Sequence, residues 1–508
     1  MSSLLTREEY QAIADSLTLP VGAFIDGKLT QTRTRFDSIN PANRTLLQAV
    51  AVCEATEVDL AVDKAREVFE SRIWAGLAPA ERKKVLIKLA KLIRRERHEL
   101  AVMESLDSGK PIRDIETVDI PEALHCLEWH AELADKIYDQ VAPTGDDAVA
   151  LVVREPIGVV ACVLPWNFPI LMLVWKLAPA LAAGNSIIIK PAEQTSLTAL
   201  RIAELAHEAG VPRGVLSVLP GPGEVTGQAL GLHPDIDMVS FTGSSEVGRL
   251  FLNYSAASNL KKIVLECGGK NPCIVLDDAE RLDAVAAHVL QAAFWNMGEN
   301  CSANSRLIVH EKVRDALLDR MLTYARDWRT GDPLDPVNRL GAIVSHDHHN
   351  KIMSYIAGAQ QQGAELALGG RALAQETGYF IEPTIFTGVK PDMTLAREEV
   401  FGPVLAVISV NSVEQAIQVA NDTPYGLTAS LFTGSVKRAH RVGRAIRAGT
   451  VTVNCYGEGD ISTPFGGYKQ SGFGGRDNSI HAHDQYTELK TLWLDLADDA
   501  TDDLIDEL

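Results

Sequence analysis

The chain has 508 residues, of which 46% are hydrophobic and 23% are charged. Its 67 Asp and Glu outnumber its 48 Lys and Arg, which gives a formal net charge of −19. These fractions are typical of globular proteins and exclude a wholly disordered or fibrous chain. The negative charge disfavours nucleic acids and anionic lipids as partners, and the length predicts about three compact units.

The seven cysteines are scattered, without a CxxC pair or a cluster with histidine. This spacing predicts reduced thiols and no metal site. Because charges lie where a signal peptide needs its apolar stretch, we expect a cytoplasmic protein. The uncharged segment 156–175 is long enough to span a membrane, but Pro165 and Pro169 interrupt it, so we expect a buried strand, loop and helix there. Residues 497–508 are predicted to form a solvated acidic tail.

Apolar residues follow a helical spacing over residues 58–97 and 106–136. From about residue 151, short β-branched runs alternate with helical stretches. Predicted strands include 158–164, 186–190 and 238–244, and a second group runs from residue 263 to residue 455. This alternation predicts parallel sheets with helical crossovers, which is the α/β fold class.

Three polar side chains are candidates for chemistry. Cys301 is surrounded by polar residues in GENCSANSR, an unusual setting for an inert core thiol, and a thiolate is a nucleophile. Glu266 ends an apolar strand, where loss of water raises the pKa of a carboxyl toward that of a general base. Asn167 lies between two prolines and is able to stabilise an oxyanion. A buried thiol, a turn-capping Glu and a turn-forming Asn remain the alternatives.

Nucleotide binding has a weaker signal. Gly223 belongs to a GxGxxxG run that departs from the dinucleotide fingerprint. Gly243 and Ser244 end a predicted strand before a helix whose N-terminus suits a phosphate. Lys190 and Glu193 follow another strand, at the sheet edge where α/β proteins bind ligands. A carboxylate there accepts hydrogen bonds from ribose hydroxyls and repels a 2′-phosphate, which favours NAD over NADP.

Taken together, seven motifs in one unbroken order from about residue 20 to residue 495 resemble the aldehyde dehydrogenase superfamily. They are PWNFP (165–169), KPAEQT (190–195), FTGSSEVG (241–248), LECGGKNP (265–272), GENCSANSR (298–306), EEVFGPV (398–404) and PFGGYKQSGFGGR (464–476). Within that superfamily, GENCSANSR and the segment 465–491 are most similar to bacterial dehydrogenases of γ-aminobutyraldehyde-type substrates, which include the γ-glutamyl-γ-aminobutyraldehyde and guanidinobutyraldehyde enzymes of polyamine and arginine breakdown.

The resemblance implies the aldehyde dehydrogenase fold. A Rossmann-like NAD-binding domain would take residues 1–133 and 155–267, and an α/β catalytic domain would take 268–478. A β-arm at 134–154 and 479–496 would join subunits into homodimers or homotetramers. Cys301 would add to the aldehyde, Asn167 would hold the oxyanion, and Glu266 would activate the water that hydrolyses the thioester. Implied contacts to NAD, with NADP less favoured, are Leu164, Trp166, Lys190, Glu193, Gly223, Gly243, Ser244, Glu399 and Phe401.

The walls of the substrate tunnel are assigned from the same resemblance. They are Asp119, Glu122, Phe168, Met172, Trp175, Tyr456, Glu458 and Asp460. Acidic and aromatic side chains attract an ammonium or guanidinium tail, so we hypothesise a preference for ω-amino or guanidino aldehydes. A helix-capping role for Asp119, a broad-range enzyme for neutral aliphatic aldehydes and a non-catalytic cofactor-binding protein are the alternatives.

Overall fold

Strands and helices alternate over most of the chain, as the sequence pattern predicts. The computed structural model describes residues 4–373, 378–457 and 459–497. The N-terminal elements are α1 (Arg7–Ser16), β1 (Ala23–Ile25), β2 (Lys28–Thr30), β3 (Thr34–Ile39), β4 (Leu46–Val52), α2 (Ala55–Glu70), α3 (Pro79–Arg95), α4 (Arg97–Ser108), α5 (Ile112–Asp114), a π-helical turn (Ile115–Asp119), α6 (Ile120–Leu133), β5 (Gln140–Ala142) and β6 (Ala148–Pro156).

The middle of the chain forms the first α/β layer. Its elements are β7 (Val159–Val163), α7 (Pro169–Ala183), β8 (Ser186–Lys190), α8 (Leu197–Ala209), β9 (Leu216–Val218), a π-helical turn (Gly223–Gly227), α9 (Gln228–Leu232), β10 (Met238–Gly243), α10 (Ser245–Ala257) and β11 (Lys262–Cys267).

The remaining elements form a second α/β layer and the C-terminal strands. They are β12 (Pro272–Val275), α11 (Leu282–Phe294), a 3₁₀ turn (Trp295–Gly298), β13 (Arg306–His310), α12 (Glu311–Tyr324), a 3₁₀ turn (Ala325–Asp327), α13 (His346–Gln361), β14 (Glu365–Leu368), β15 (Thr384–Thr387), α14 (Thr394–Arg397), β16 (Val404–Val410), α15 (Val413–Asn421), β17 (Thr428–Phe432), α16 (Val436–Ala445), β18 (Thr450–Val453), a 3₁₀ turn (Lys469–Ser471), β19 (Gly472–Phe473), α17 (Ser479–Gln485) and β20 (Thr487–Asp495).

The first sheet has a topological switch point. Its strand order is β19-β11-β10-β7-β8-β9-β1-β2, and the strands from β11 to β9 pair in parallel. From β7 the chain moves outward to β8 and β9, and it then returns to place β10 and β11 on the opposite side. The loops that leave the carboxyl ends of β7 and β10 therefore diverge and open a crevice, which is where such sheets bind ligands.

Apolar side chains cover both faces of this sheet. Helices α7 and α8 pack on one face, and α2 and α10 pack on the other. The second sheet, of order β14-β15-β16-β13-β12-β17-β18, has a separate core. A further antiparallel sheet joins β20, β6 and β5.

Two helical predictions needed correction. The stretch 58–97 is interrupted between α2 and α3, because Pro79 starts a new helix in a first-turn position where its missing N–H is not needed. The stretch 106–136 contains a π-helical turn before α6. The uncharged segment 156–175 forms β7, a loop and the start of α7, as predicted. Within the described ranges, no helix combines the length and apolar character required to cross a bilayer.

Candidate active site

A cavity of about 250 Å³ lies at the switch point of the first sheet and reaches the second α/β layer. Its wall includes the ends of β7, β10 and β11, the start of α7 and the turn before β13. The structure brings to this cavity a large part of the residues that the sequence singled out. They are Trp166, Asn167, Phe168, Met172, Trp175, Gly243, Ser244, Glu266, Cys301, Glu399 and Phe401.

Cys301 follows a run of left-handed backbone. Asn296 and Met297 have φ values of 54° and 55°, and Gly298 has a φ of 68°. Non-glycine residues pay a conformational cost in this region, so the surrounding contacts must hold the turn in place. The thiol of Cys301 is half-buried and faces the cavity, whereas five other cysteines are buried and Cys455 is exposed.

Asparagine side chains hold this turn. The amides of Asn167 and Asn296 both donate to the carbonyl oxygen of Glu299, at 3.0 and 2.9 Å. The amide of Asn271 donates to the carbonyl oxygen of Cys301 at 2.7 Å. These bonds fix the backbone on both sides of the thiol and place the Asn167 amide beside it.

Glu266 occupies the carboxyl end of β11 and is 4% exposed. Its Oε2 accepts a hydrogen bond from the Gly467 N–H at 3.3 Å, and within the described chain its Oε1 has no partner. Burial raises the pKa of Glu266 well above its usual value, and the nearby carboxylate of Asp477 adds to this rise. Asp477 in turn forms a buried ion pair with Lys176 at 3.3 Å. The carboxyl group is thus held near Cys301 in a setting that favours proton uptake.

The predicted adenosine side of the cleft lies beyond the cavity, at the ends of β7 and β8. The Leu164 N–H donates to the Lys190 carbonyl at 2.9 Å, which joins the two strand ends. The Lys190 ammonium lies 3.5 Å from the carboxylate of Glu193, and burial lowers the pKa of Lys190. A side chain added at Gly223 would meet nothing within 4 Å, so this turn leaves open space.

The N-terminus of helix α10, at the end of β10, is suited to binding an anion. Ser244 caps α10 by accepting a hydrogen bond from the Val247 N–H at 3.2 Å. Thr242, which lines the cavity, has a buried hydroxyl without a partner among the described residues. Backbone N–H groups at such a helix start attract phosphate. This helix start therefore has the donors that a phosphate group of a dinucleotide requires.

Glu399 and Phe401 border the same cleft. The Glu399 carboxylate accepts a hydrogen bond from the Gly269 N–H at 2.9 Å, and burial raises the pKa of Glu399 to about 7. A Cβ at Gly268 would lie 2.1 Å from this carboxylate, so a larger residue there would displace it. Phe401 has a φ of 59°, and its carbonyl accepts a hydrogen bond from His348 at 2.7 Å.

Several cavity residues were not found from the sequence. His348 and Lys351 come from α13, Trp295 begins the 3₁₀ turn after α11, and Phe465 and Asp477 form an isolated β-bridge with each other. Phe465 belongs to a motif noted in the sequence, but no local pattern marks the other four, because their roles depend on contacts with distant segments. Burial lowers the pKa of His348 to about 4, so this imidazole is neutral at pH 7.

Aromatic rings line one side of the cavity. The ring centres of Phe168 and Trp295 lie 5.2 Å apart, and those of Trp175 and Phe465 lie 5.3 Å apart. Met172 completes this wall. The wall is apolar, and it accommodates an alkyl chain or a flat ring next to Cys301.

The acidic residues that were predicted to line the substrate tunnel do not lie together. The prediction for Asp119 is wrong: its side chain is fully buried and pairs with Lys110, which lies 3.7 Å above the Phe168 ring. Asp119 therefore stabilises a buried ammonium behind the wall instead of facing the tunnel. Glu122 is exposed on α6, and Asp460 is exposed in the loop after β18, where it accepts a hydrogen bond from the Ser462 hydroxyl.

Tyr456 belongs to this same loop. The Tyr456 hydroxyl accepts a hydrogen bond from the Asn300 amide at 2.9 Å, next to Cys301. Glu458 lies outside the described residues, as does most of the predicted acidic tail. In the described part of the chain, no group of three or more His, Cys, Asp and Glu side chains is arranged to hold a metal ion.

Comparison with known proteins identifies the family. The profile of the aldehyde dehydrogenase family matches residues 28–492. The aminoacetaldehyde dehydrogenase of Pseudomonas aeruginosa is 60% identical over 498 residues, which cover 97% of this chain and 100% of that relative.

Solved structures agree with this result. AldA, an indole-3-acetaldehyde dehydrogenase of P. syringae solved with NAD⁺ and IAA, has a TM-score of 0.96 at 48% identity. The γ-glutamyl-γ-aminobutyraldehyde dehydrogenase of Burkholderia cenocepacia J2315 has a TM-score of 0.95 at 49% identity. Each comparison covers 97% of this chain and 100% of the other.

These similarities confirm the predicted α/β aldehyde dehydrogenase fold and the predicted enzyme class, and the NAD⁺ in the AldA structure agrees with the predicted cofactor. The match runs through both α/β layers and includes the strand ends that form the cavity. The chain therefore belongs to the aldehyde dehydrogenase family.

Proposed function

We propose that this protein oxidises aldehydes to carboxylic acids with NAD through a thioester on Cys301. The observation that supports this proposal most strongly is the placement of a thiol, a buried carboxyl and a side-chain amide around one cavity. That cavity also reaches the open helix N-terminus at Ser244. A reaction that combines a covalent intermediate with hydride transfer to a dinucleotide needs the nucleophile and the dinucleotide site to share one cavity.

In the first half of the reaction, the Cys301 thiolate forms a bond to the aldehyde carbon. An amide nitrogen carries two N–H groups. Because Asn167 uses one of them for the Glu299 carbonyl, the second is available to stabilise the negative charge that develops on the substrate oxygen. Bound NAD supplies the hydride acceptor. Loss of hydride from the adduct leaves a thioester on Cys301.

In the second half, Glu266 takes a proton from a water molecule, which attacks the thioester and releases the acid and the thiolate. The raised pKa of Glu266 makes its ionised carboxylate a stronger base toward this water. We assign the preference for NAD over NADP to Glu193, because its carboxylate lies 3.5 Å from Lys190 and would repel a 2′-phosphate at the adenosine ribose.

For the substrate, we propose ω-amino or guanidino aldehydes from polyamine or arginine breakdown. The support comes from the exposed carboxylates of Glu122 and Asp460, and from the names of two relatives, aminoacetaldehyde dehydrogenase and γ-glutamyl-γ-aminobutyraldehyde dehydrogenase. His125 on α6 contributes to the lowered pKa of Asp460, after the hydrogen bonds from Ser462, so α6 and the loop after β18 lie near each other. The cationic tail of a substrate would therefore be attracted by the carboxylates of Glu122 on α6 and Asp460 in the loop after β18.

The first experiment compares kcat/KM with NAD for 4-aminobutyraldehyde, or its guanidino analogue, with that for neutral butyraldehyde. We expect the cationic substrates to be preferred. Equal values would remove the substrate proposal and favour the second candidate, a broad-range enzyme for neutral aldehydes. The apolar aromatic wall of the cavity is the observation that favours this second candidate.

Replacing both carboxylates, in Glu122→Gln with Asp460→Asn, is expected to raise the KM for 4-aminobutyraldehyde about threefold to tenfold, since each exposed charge pair contributes little. The KM for butyraldehyde should not change. Asp319→Asn, an exposed change on α12, serves as the matched control. If the cationic KM stays at its original value, the two carboxylates do not recognise the tail.

We also propose the domain map of the family, with residues 1–133 and 155–267 holding NAD and residues 268–478 forming the catalytic domain. The sheet of β5, β6 and β20 would be an arm that joins subunits into a homodimer or homotetramer. Its strand β20 exposes 69% of Leu489 and 65% of Trp493, which is apolar surface that an edge strand covers by pairing. A cytoplasmic location agrees with seven cysteines that are not joined in disulfide bonds.

A further inference from the structure

The loop after β18 and the nucleophile turn are joined by hydrogen bonds. The Tyr456 hydroxyl accepts from the Asn300 amide at 2.9 Å, and it lies 3.4 Å from the Ser302 hydroxyl. Asn300 and Ser302 are the two neighbours of Cys301 in the chain. The Tyr456 hydroxyl therefore contacts the residues on both sides of Cys301, although Tyr456 was predicted from the sequence as part of the tunnel wall.

Asn300 closes a small ring around Cys301. Its side-chain oxygen accepts from the Ser302 N–H at 3.0 Å and from the Ser302 hydroxyl at 2.9 Å. This arrangement is an Asx turn, in which a side chain replaces a backbone carbonyl and restricts the residue between. The backbone angles of Cys301, and with them the direction of its thiol, depend on this ring.

The Asn300 amide satisfies both partners in a single orientation. The Ser302 N–H requires the amide oxygen, and the Tyr456 oxygen receives the amide nitrogen. Asn300 is 3% exposed and Ser302 is fully buried, so water does not readily replace a lost partner. Leaving a buried donor unsatisfied destabilises the arrangement that contains it. A side chain without the phenolic oxygen would thus free the amide to rotate and would loosen the Asx turn.

We propose that Tyr456 is a positioning residue for catalysis: it acts through Asn300 to orient Cys301, and it ties the loop after β18 to the nucleophile. The inference rests on the proposed role of Cys301. It goes beyond that role because Tyr456, in the loop after β18, would affect the turnover of every aldehyde, whether or not the aldehyde carries a cationic tail.

The test separates positioning from tail binding. Tyr456→Phe keeps the ring and removes the hydroxyl. We expect kcat to fall about tenfold for 4-aminobutyraldehyde and for butyraldehyde alike, which is the kinetic equivalent of one buried hydrogen bond, while both KM values stay within about twofold. A loss confined to the cationic aldehyde would show that Tyr456 binds the tail and would overturn the proposal.

Alkylation of Cys301 by iodoacetamide gives a readout without turnover. The rate is followed by mass spectrometry of the peptide that contains Cys301, with the exposed Cys455 measured separately. We expect Tyr456→Phe to slow alkylation of Cys301, because its thiol leaves the reactive orientation. Tyr138→Phe makes the same chemical change at a side chain that is 83% exposed, and it should alter neither rate. An unchanged Cys301 rate in Tyr456→Phe contradicts the proposal.

A double variant tests whether Tyr456 acts through Asn300. If it does, adding Tyr456→Phe to Asn300→Leu should cause no further loss, whereas independent roles would multiply the two losses. If Tyr456→Phe does not fold, Asn300→Asp is the substitute. This change keeps the acceptor for Ser302, and its added negative charge should move the pH midpoint of Cys301 alkylation upward. A midpoint equal to that of the unchanged protein would contradict the Asx-turn geometry.

Failure of the inference differs from failure of the proposed function. If full alkylation of Cys301 leaves NADH production intact, the nucleophile assignment has failed. If alkylation abolishes NADH production but Tyr456→Phe behaves like the unchanged protein, the positioning role alone has failed.

Discussion

Replacing Cys301 with alanine is expected to abolish aldehyde oxidation, with kcat/KM reduced by about a thousandfold or more. Without the thiolate no covalent adduct forms. The Asn167 amide is still present, but there is no oxyanion for it to stabilise. NADH formation at 340 nm measures the loss. NAD binding, measured by calorimetry, should be retained, because the cofactor contacts that we propose at Ser244 and Glu399 do not involve the thiol.

Cys455→Ala is the matched control, since this cysteine is exposed while Cys301 is half-buried in the cavity. We expect unchanged activity in the control. Residual activity above about a tenth of normal in Cys301→Ala would contradict the covalent mechanism. Loss of NAD binding in the same variant would instead point to a general disturbance of the cleft.

The second large effect is expected from Glu266→Gln, which should reduce steady-state turnover by about a hundredfold to ten-thousandfold. The thiol still adds to the aldehyde, but no base activates water for hydrolysis of the thioester. Rapid-mixing experiments should show a burst of about one NADH per active site, followed by a slow phase. Absence of the burst, with slow turnover throughout, would place Glu266 in the first half-reaction.

The pH dependence of turnover follows from the same carboxyl group. Burial and the Asp477 carboxylate raise the pKa of Glu266, and the ionised form is the one that accepts a proton from water. When hydrolysis limits turnover, the rate should therefore fall as the pH decreases through this raised pKa. In Asp477→Asn one cause of the rise is removed, so the midpoint should move to lower pH. A midpoint that moves upward would contradict this electrostatic explanation.

Local sequence patterns predicted several elements well. The predicted strand 186–190 coincides with β8, and the predicted strand 238–244 is one residue longer than β10. Apolar periodicity specifies which face of a segment is buried, and this information is local. The break between α2 and α3 was missed although Pro79 marks it. The π-helical turn Ile115–Asp119 has no local signal, because it adds one residue to a helix without a change in residue type.

Within the site, the sequence by itself determined the kinds of chemistry. A thiol in a polar turn, a carboxylate at a strand end and an amide between prolines are recognisable from their neighbours, and strand ends in an α/β pattern share one edge of the sheet. Tertiary structure decided which side chains contact one another. Asp119 pairs with Lys110 and is buried, whereas Tyr456 bonds to Asn300 across 156 positions of the chain. Such contacts depend on packing between distant segments. At exposed positions of the fold, the same residue types would hydrogen-bond to water instead. The sequence therefore determined which groups are candidates for the reaction, and only the folded chain decided which neighbours orient them and set their pKa values.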